Sequence, residues 1–116
     1  MDELREVSFP FPIADAEAGP FVSYGGFDLT LRLIDYTGTP RNISFRDVPY
    51  FQLIPVDADP RGLWNDRSYL VDDSSLIARL FESGSIDKAT GYQHQIICFN
   101  ETGQLLEIVY REMKAE

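Results

Sequence analysis

The sequence predicts an α+β domain in which a mainly antiparallel sheet carries one helix packed on one face. Three observations predict this fold class. Apolar side chains repeat every second residue from Phe27 to Leu33, one helical stripe follows Ser74, and the last third of the chain has a hairpin pattern. Together the segments predict one sheet of about five to seven strands. A strongly curled sheet or a partial barrel is the alternative arrangement.

The whole chain, 1–116, is predicted to be a single domain, because its length is typical of one domain and no linker interrupts it. Residues 1–20 are predicted to be an irregular arm, since three prolines each remove a backbone donor: Pro10, Pro12 and Pro20. This arm is expected to lie extended along a sheet edge. Residues 21–113 form the predicted core, and the tail beyond is expected to fray.

The first predicted strand has Leu29, Leu31 and Leu33 on one face and polar residues on the other. Further strands are predicted by short apolar runs that turn residues separate. They lie at 43–48, 50–54, 68–71, 95–99 and 106–110.

The predicted helix begins after Asp72-Asp73-Ser74-Ser75, because aspartate and serine oxygens accept hydrogen bonds from the free N–H groups of a first turn. Leu76, Ile77, Leu80 and Phe81 then share one stripe. Gly84 is a typical C-terminal stop.

The charge balance argues against two classes of partner. The chain has 19 acidic and 10 basic residues, for a net charge of −9. Such a charge repels nucleic-acid backbones and anionic membranes, so we expect neither as a partner. It is explained either by solubility or by docking of a basic protein. Cys98 is the only cysteine and no secretory signal is recognisable, so we expect a cytoplasmic protein.

No residue pattern predicts a catalytic site, a metal site or a cofactor. His94 is the only histidine, and in a strand it lies roughly 13 Å from Cys98, too far for a sequence-local pair. We expect a structural role for His94 and a buried, inert Cys98. Asp57 and Asp59 begin a calcium-like loop, but Arg61 stands where an oxygen ligand is needed.

A binding patch is predicted in the acidic loop around the only tryptophan. Tryptophan and tyrosine are favoured at interfaces because they bury a large rigid area and keep a polar tip. The alternative is that Trp64 plugs one end of the core. The predicted binding residues are Trp64, Asp57, Asp59, Asp66 and Tyr69.

The order of several features resembles small bacterial domains of unknown function, some of which look like immunity proteins that accompany secreted toxins. The features are Phe45-Arg46-Asp47-Val48, Trp64, the Ser74–Ile77 helix start and Gln93–Ile97. The resemblance covers residues 27–110 and implies a non-catalytic, acidic protein that docks on a basic toxin. It supplies no site residues.

We therefore expect a non-enzymatic interaction protein that docks a basic partner. One alternative is a small-molecule binder or an enzyme with a pocket between the sheet and the helix, lined by tyrosines and His94. Another is an acidic mimic of nucleic acid. A homodimer through an unprotected sheet edge is a further expectation.

Overall fold

The computed structural model describes residues 2–10, 18–59, 61–62, 66–88, 90–99 and 102–115. In these ranges the chain forms nine strands, one α-helix and one 3₁₀ turn. The strands are β1 (Glu3–Val7), β2 (Ala18–Gly25), β3 (Asp28–Ile34), β4 (Pro40–Arg46), β5 (Tyr50–Pro55), β6 (Ser68–Asp72), β7 (Gln93–Phe99), β8 (Gln104–Tyr110) and β9 (Glu112–Ala115). Helix α1 spans Ser75–Glu82, and the 3₁₀ turn spans Val56–Ala58.

The strands form two antiparallel sheets, which confirms the predicted α+β class with one helix. One sheet has five strands in the order β1-β6-β7-β8-β5, and the other has four in the order β2-β3-β4-β9. The strands are therefore divided between two layers, where the sequence predicts one sheet. Neither sheet closes into a barrel.

A bent two-stranded ribbon joins the two sheets. In the four-stranded sheet β4 pairs with β9, ending with Arg46 opposite Glu112. In the five-stranded sheet β5 pairs with β8, beginning with Tyr50 opposite Val109. Between these two pairs, residues 47–49 of one strand lie opposite residues 110–111 of the other, so the first strand has one extra residue. This extra residue forms a β-bulge, which bends the ribbon from one sheet into the other.

Asp47 holds the bend together. Its φ is +55°, in the left-handed region that aspartate tolerates better than most residues. Its carboxylate accepts hydrogen bonds from Arg111 Nε at 2.9 Å and from the Tyr92 hydroxyl at 3.1 Å. The Arg111 guanidinium also lies 4.6 Å from the centre of the Tyr92 ring, a cation–π contact. Arg111 N donates to Arg46 O across the ribbon at 2.9 Å.

The main core fills the space between the sheets. The alternation predicted for β3 is confirmed from Leu29 to Leu33, because Leu29, Leu31 and Leu33 are fully buried. Phe27 was predicted to share their face, but it precedes β3 at a φ of +67° and is 70% exposed. They pack with residues of β4, β7 and β8 that include Phe45, Ile97, Phe99, Leu106 and Ile108. One polar chain crosses this core: Tyr110 donates to Gln95, which donates to Ser68, both at 2.6 Å. Burial raises the pKa of Tyr110 to about 12.

The opposite face of the five-stranded sheet, here called the outer face, carries a second apolar cluster. It consists of Val56, Val71, Ile96, Cys98 and Leu105. Cys98 is buried as predicted, and burial raises the pKa of its thiol to about 11. Helix α1 lies over this face and begins at the predicted cap, where Ser74 Oγ accepts from Ile77 N at 3.1 Å. No helix in the described ranges has the length and apolar character needed to cross a membrane.

The described parts of the predicted arm lie along sheet edges, but they are regular strands and not irregular, and the C-terminal tail also differs from its prediction. Glu3–Val7 forms β1 against β6, and Ala18–Pro20 begins β2, whereas residues 11–17 lie outside the described ranges. The tail forms β9 instead of fraying, because its backbone pairs with β4. These edge strands have exposed or half-buried side chains, so their stability comes from backbone pairing and not from an apolar alternation.

The bend gives a stability prediction. Replacing Asp47 with valine should destabilise the fold by about 2 kcal/mol more than replacing it with asparagine, because a β-branched residue is strained at positive φ. Asparagine tolerates this backbone region and keeps an acceptor oxygen for Arg111. Urea denaturation of both variants measures the difference. Equal midpoints for the two variants would contradict this role for Asp47.

Candidate functional site

Two clefts lie between helix α1 and the outer face of the five-stranded sheet. We name the first the Arg61 cleft; its volume is about 330 Å³, and its lining includes Tyr50, Gln52, Asp59, Arg61, Arg79 and Glu107. The second, the Tyr92 cleft, measures about 520 Å³, and its lining includes Arg5, Asp72, Ser74, Ile77 and Tyr92. His94 lines both. Both clefts lie between the sheet and the helix, where the alternative of a small-molecule site places a pocket, and they meet at His94.

His94 reaches the helix because of its position along β7. Side chains alternate along a strand, so His94 shares the outer face with Ile96 and Cys98, whereas Gln95 and Ile97 face the main core. Helix α1 covers this end of the strand, and only 2% of His94 is exposed. A histidine buried to this degree needs partners for both ring nitrogens.

Both nitrogens of His94 have such partners. His94 Nε2 lies 2.6 Å from Glu107 Oε2, and His94 Nδ1 lies 2.7 Å from Ser74 Oγ. An ionised Glu107 has no proton to give, so Nε2–H is the donor in that pair. Since Ser74 Oγ also accepts from Ile77 N, its own hydrogen is available to a neutral His94 Nδ1. The network therefore fixes the helix start to the middle of the sheet.

Glu107 is the charged centre of this network. Burial by itself would raise its pKa, but hydrogen bonds from His94 and Arg61 outweigh burial and lower the pKa from 4.5 to about 2. Arg61 holds both carboxylate oxygens, with its NH1 nitrogen at 3.2 Å from Oε2 and its NH2 nitrogen at 3.4 Å from Oε1. Glu107 is therefore a carboxylate at neutral pH, held between a cation and an imidazole.

Arg61 links Glu107 to a second buried carboxylate, Asp59. Arg61 Nε donates to Asp59 Oδ1 at 2.8 Å, and the Asp59 side chain is fully buried while that of Arg61 is 30% exposed. Asp59 Oδ2 is buried as well and has no hydrogen-bond partner among the described residues. Buried carboxylate oxygens are normally satisfied, so this one is unusual.

Asp2 closes one side of the Arg61 cleft. Its carboxylate accepts hydrogen bonds from Ser75 N at 2.6 Å and from Ser75 Oγ at 3.1 Å. The backbone hydrogen bond from Ser75 is the main reason that the pKa of Asp2 is lowered. The segment before β1 thus contributes a second cap to helix α1, from a part of the chain where the sequence predicts an irregular arm.

Ser74, His94 and Glu107 are residue types that also form nucleophilic sites, and in this protein their hydrogen bonds also hold the start of α1. In such sites a free serine hydroxyl gives its proton to a histidine that a carboxylate orients. Here Ser74 Oγ accepts a hydrogen bond from Ile77 N and so caps the helix. The N–H of Ser75 donates to the carboxylate of Asp2. The hydroxyl of Ser74 and this N–H are therefore already used by the fold.

The structure places the predicted binding residues in different surroundings. Asp59 is buried and lines the Arg61 cleft, whereas Asp57 is exposed on the 3₁₀ turn. Tyr69 is half-buried and packs against the outer apolar cluster, and Asp66 is half-buried. Trp64 lies outside the described residues. A binding role for these five residues stays a prediction, and the geometry singles out Asp59 among them.

Sequence reasoning missed the partnership of His94, Glu107 and Arg61. The only available signal was a charged residue at position 107, inside an apolar strand between Leu105 and Val109. Both of those neighbours are fully buried, so Glu107 had to be buried or paired. Its partner Arg61 is 46 residues away along the chain, and no sequence spacing connects them.

Within the described ranges, no three His, Cys, Asp or Glu side chains form a group that could hold a metal ion. Comparison of the chain with protein-family models, with curated proteins and with solved structures finds no match.

Replacing Glu107 with glutamine should destabilise the protein by about 2 kcal/mol, because Arg61 and His94 lose a charged acceptor in a buried position. Urea denaturation at pH 7 measures this loss. The matched control is Glu82→Gln, an exposed carboxylate on α1, which should change stability by no more than about 0.5 kcal/mol. Equal effects of the two substitutions would show that the Glu107 network contributes nothing to stability.

The lowered pKa of Glu107 also predicts a pH dependence. An unfolded chain binds the Glu107 proton near pH 4.5 and the folded protein only near pH 2, so stability is lost as the pH falls through this window. The wild type should lose on the order of 2 kcal/mol more than Glu107→Gln between pH 6 and pH 3. Both proteins retain Asp35, whose pKa is also lowered, so the difference reports Glu107. Urea denaturation at several pH values measures both stabilities. If the wild type and Glu107→Gln lost the same stability between pH 6 and pH 3, the lowered pKa of Glu107 would be contradicted.

Proposed function

We propose that this protein binds a basic protein partner, and that the Arg61 cleft accepts a lysine or arginine side chain of that partner. The observation that carries the proposal is the free oxygen of Asp59. A buried carboxylate oxygen without a donor destabilises a fold by about 1 to 3 kcal/mol. A cationic group entering the cleft would supply the missing donor.

The charges of the cleft favour a cation over a neutral donor. Its lining contains three carboxylates, of Asp2, Asp59 and Glu107, against the two guanidinium groups of Arg61 and Arg79. The whole chain adds a net charge of −9, which attracts a basic surface over a longer range. In this proposal the incoming cation displaces the Arg61 side chain, which is 30% exposed, to reach the fully buried Asp59 side chain.

The dimensions of the cleft agree with one inserted side chain. A volume of about 330 Å³ lies at the lower end of the range of roughly 300 to 1,000 Å³ found for ligand sites. The resemblance to small immunity-like bacterial domains leads to the same kind of partner, a basic toxin. The small-molecule alternative uses the same chemistry, since a free amine would also satisfy Asp59.

Titration followed by NMR tests the cleft. N-acetyl-lysine methylamide should shift the amide signals of Arg61 and Gln52 with millimolar affinity, and N-acetyl-norleucine methylamide, which lacks the ammonium group, should not. Asp59→Asn should weaken this binding by about tenfold, because the amide nitrogen repels a cation. Its matched control, Asp57→Asn, changes the exposed carboxylate of the same loop and should bind as the wild type does.

Equal binding by Asp59→Asn and the wild type, with both proteins folded by circular dichroism, would overturn the assignment of the cleft. Hexalysine distinguishes the two sources of the cation. A protein-docking site should bind it about tenfold more tightly than the single amino-acid amide and lose affinity in salt. Equal affinity for the two probes would support a free amine as the ligand and overturn the protein partner.

A further inference from the structure

We propose that two copies of this chain form a dimer by pairing their β2 strands across a two-fold axis. This surface is separate from the Arg61 cleft and does not depend on the proposed function. Strand β2 is the terminal strand of its sheet and pairs on one side with β3. In the described part of the chain no strand pairs with its other side, so that backbone edge is open to another strand.

The four edge strands differ in charge. Strand β1 carries Glu3, Arg5 and Glu6, and β9 carries Glu112 and Lys114, which are side chains that discourage edge pairing. Strand β2 has eight residues, Ala18–Gly25, and none of them is charged. Strand β5 is also uncharged, but its residues from Tyr50 to Ile54 are half-buried. Only β2 combines an uncharged edge with large exposed apolar side chains.

Two aromatic side chains of β2 are exposed: Phe21 is 56% and Tyr24 is 45% exposed. Phe21 lies opposite Arg32, on the face of the four-stranded sheet that points away from the core, because the adjacent Leu31 and Leu33 point inward. A two-fold axis perpendicular to the sheet keeps this face on the same side in both copies. When residues 21–25 of both copies pair, Ser23 lies at the two-fold axis and each Phe21 lies opposite Gly25 of the other copy, where its ring covers the glycine backbone.

The ladder between copies is limited to residues 21–25. Pro20 has no backbone N–H, and the pairing of β2 with β3 is irregular between Ala18 and Phe21. Five residues from each copy suffice for a short antiparallel pair. The pairing would join the two four-stranded sheets into one continuous sheet, with an isologous interface as expected for a symmetric dimer.

Charge explains why self-association should occur at this edge. Each copy carries a net charge of −9, so two copies repel each other over most of their surfaces. A contact without charged side chains adds no local repulsion, and its stability should increase with salt, because salt screens the repulsion that remains. A contact based on ion pairs would respond to salt in the opposite direction.

Sedimentation equilibrium tests the dimer at about 1 to 100 µM protein. The wild type should approach twice the mass of the 13.2 kDa chain, and its dissociation constant should fall as ionic strength rises from about 0.05 to 0.5 M. Phe21→Lys and Ser23→Lys each place a charge on the edge, at exposed positions, and should weaken the dimer by about tenfold or more.

Two controls locate the interface. Phe81→Lys replaces an exposed aromatic residue on α1, and Leu4→Lys adds a charge to another edge strand, β1; both should leave the dimer unchanged. A monomeric wild type over the whole concentration range would overturn the proposal. It would also be overturned by a dimer that resists both β2 substitutions, or that Leu4→Lys dissociates. Circular dichroism of each variant confirms that the fold is retained.

Discussion

The bend of the β4–β5 and β8–β9 ribbon determines where every other part of the molecule lies. One extra residue on the β4–β5 side, with Asp47 at positive φ, turns both strands out of one sheet and into the other. The carboxylate of Asp47 holds Arg111 from the opposite strand and Tyr92 from the segment that leads into β7. A short region of the chain therefore fixes both the angle between the sheets and the start of the central strand β7.

This bend gives β7 and β8, in the interior of the larger sheet, two covered faces. Their inner face packs against β3 and β4, and their outer face carries an apolar cluster next to α1. A strand covered on both sides leaves no exposed position for a polar residue in its middle. His94 and Glu107 are consequently satisfied by protein groups, and the need to satisfy them brings Ser74 and Arg61 together from distant parts of the sequence.

The free oxygen of Asp59 is the exception to this rule. The side chains of Asp2, Arg61 and Glu107 all form hydrogen bonds. Asp59 Oδ2 has no hydrogen-bond partner in the described part of the chain. Buried polar groups that break the rules of folding without a visible gain are frequently found at functional sites. The cleft and the uncharged β2 edge are thus two surfaces where the chain departs from what stability alone would favour.

Local sequence patterns were sufficient to predict the elements in which those patterns are strong. The apolar alternation of β3 and the serine cap and terminal glycine of α1 are local signals, and the structure has a strand and a helix at these places. The edge strands β1 and β9 were not predictable, because backbone pairing with distant strands stabilises them and leaves no apolar pattern. The division into two sheets could not be predicted, since it depends on one extra residue at a bend. The site could not be predicted either, because His94, Glu107, Arg61 and Asp59 come together only in the folded chain and their spacing along the sequence has no period.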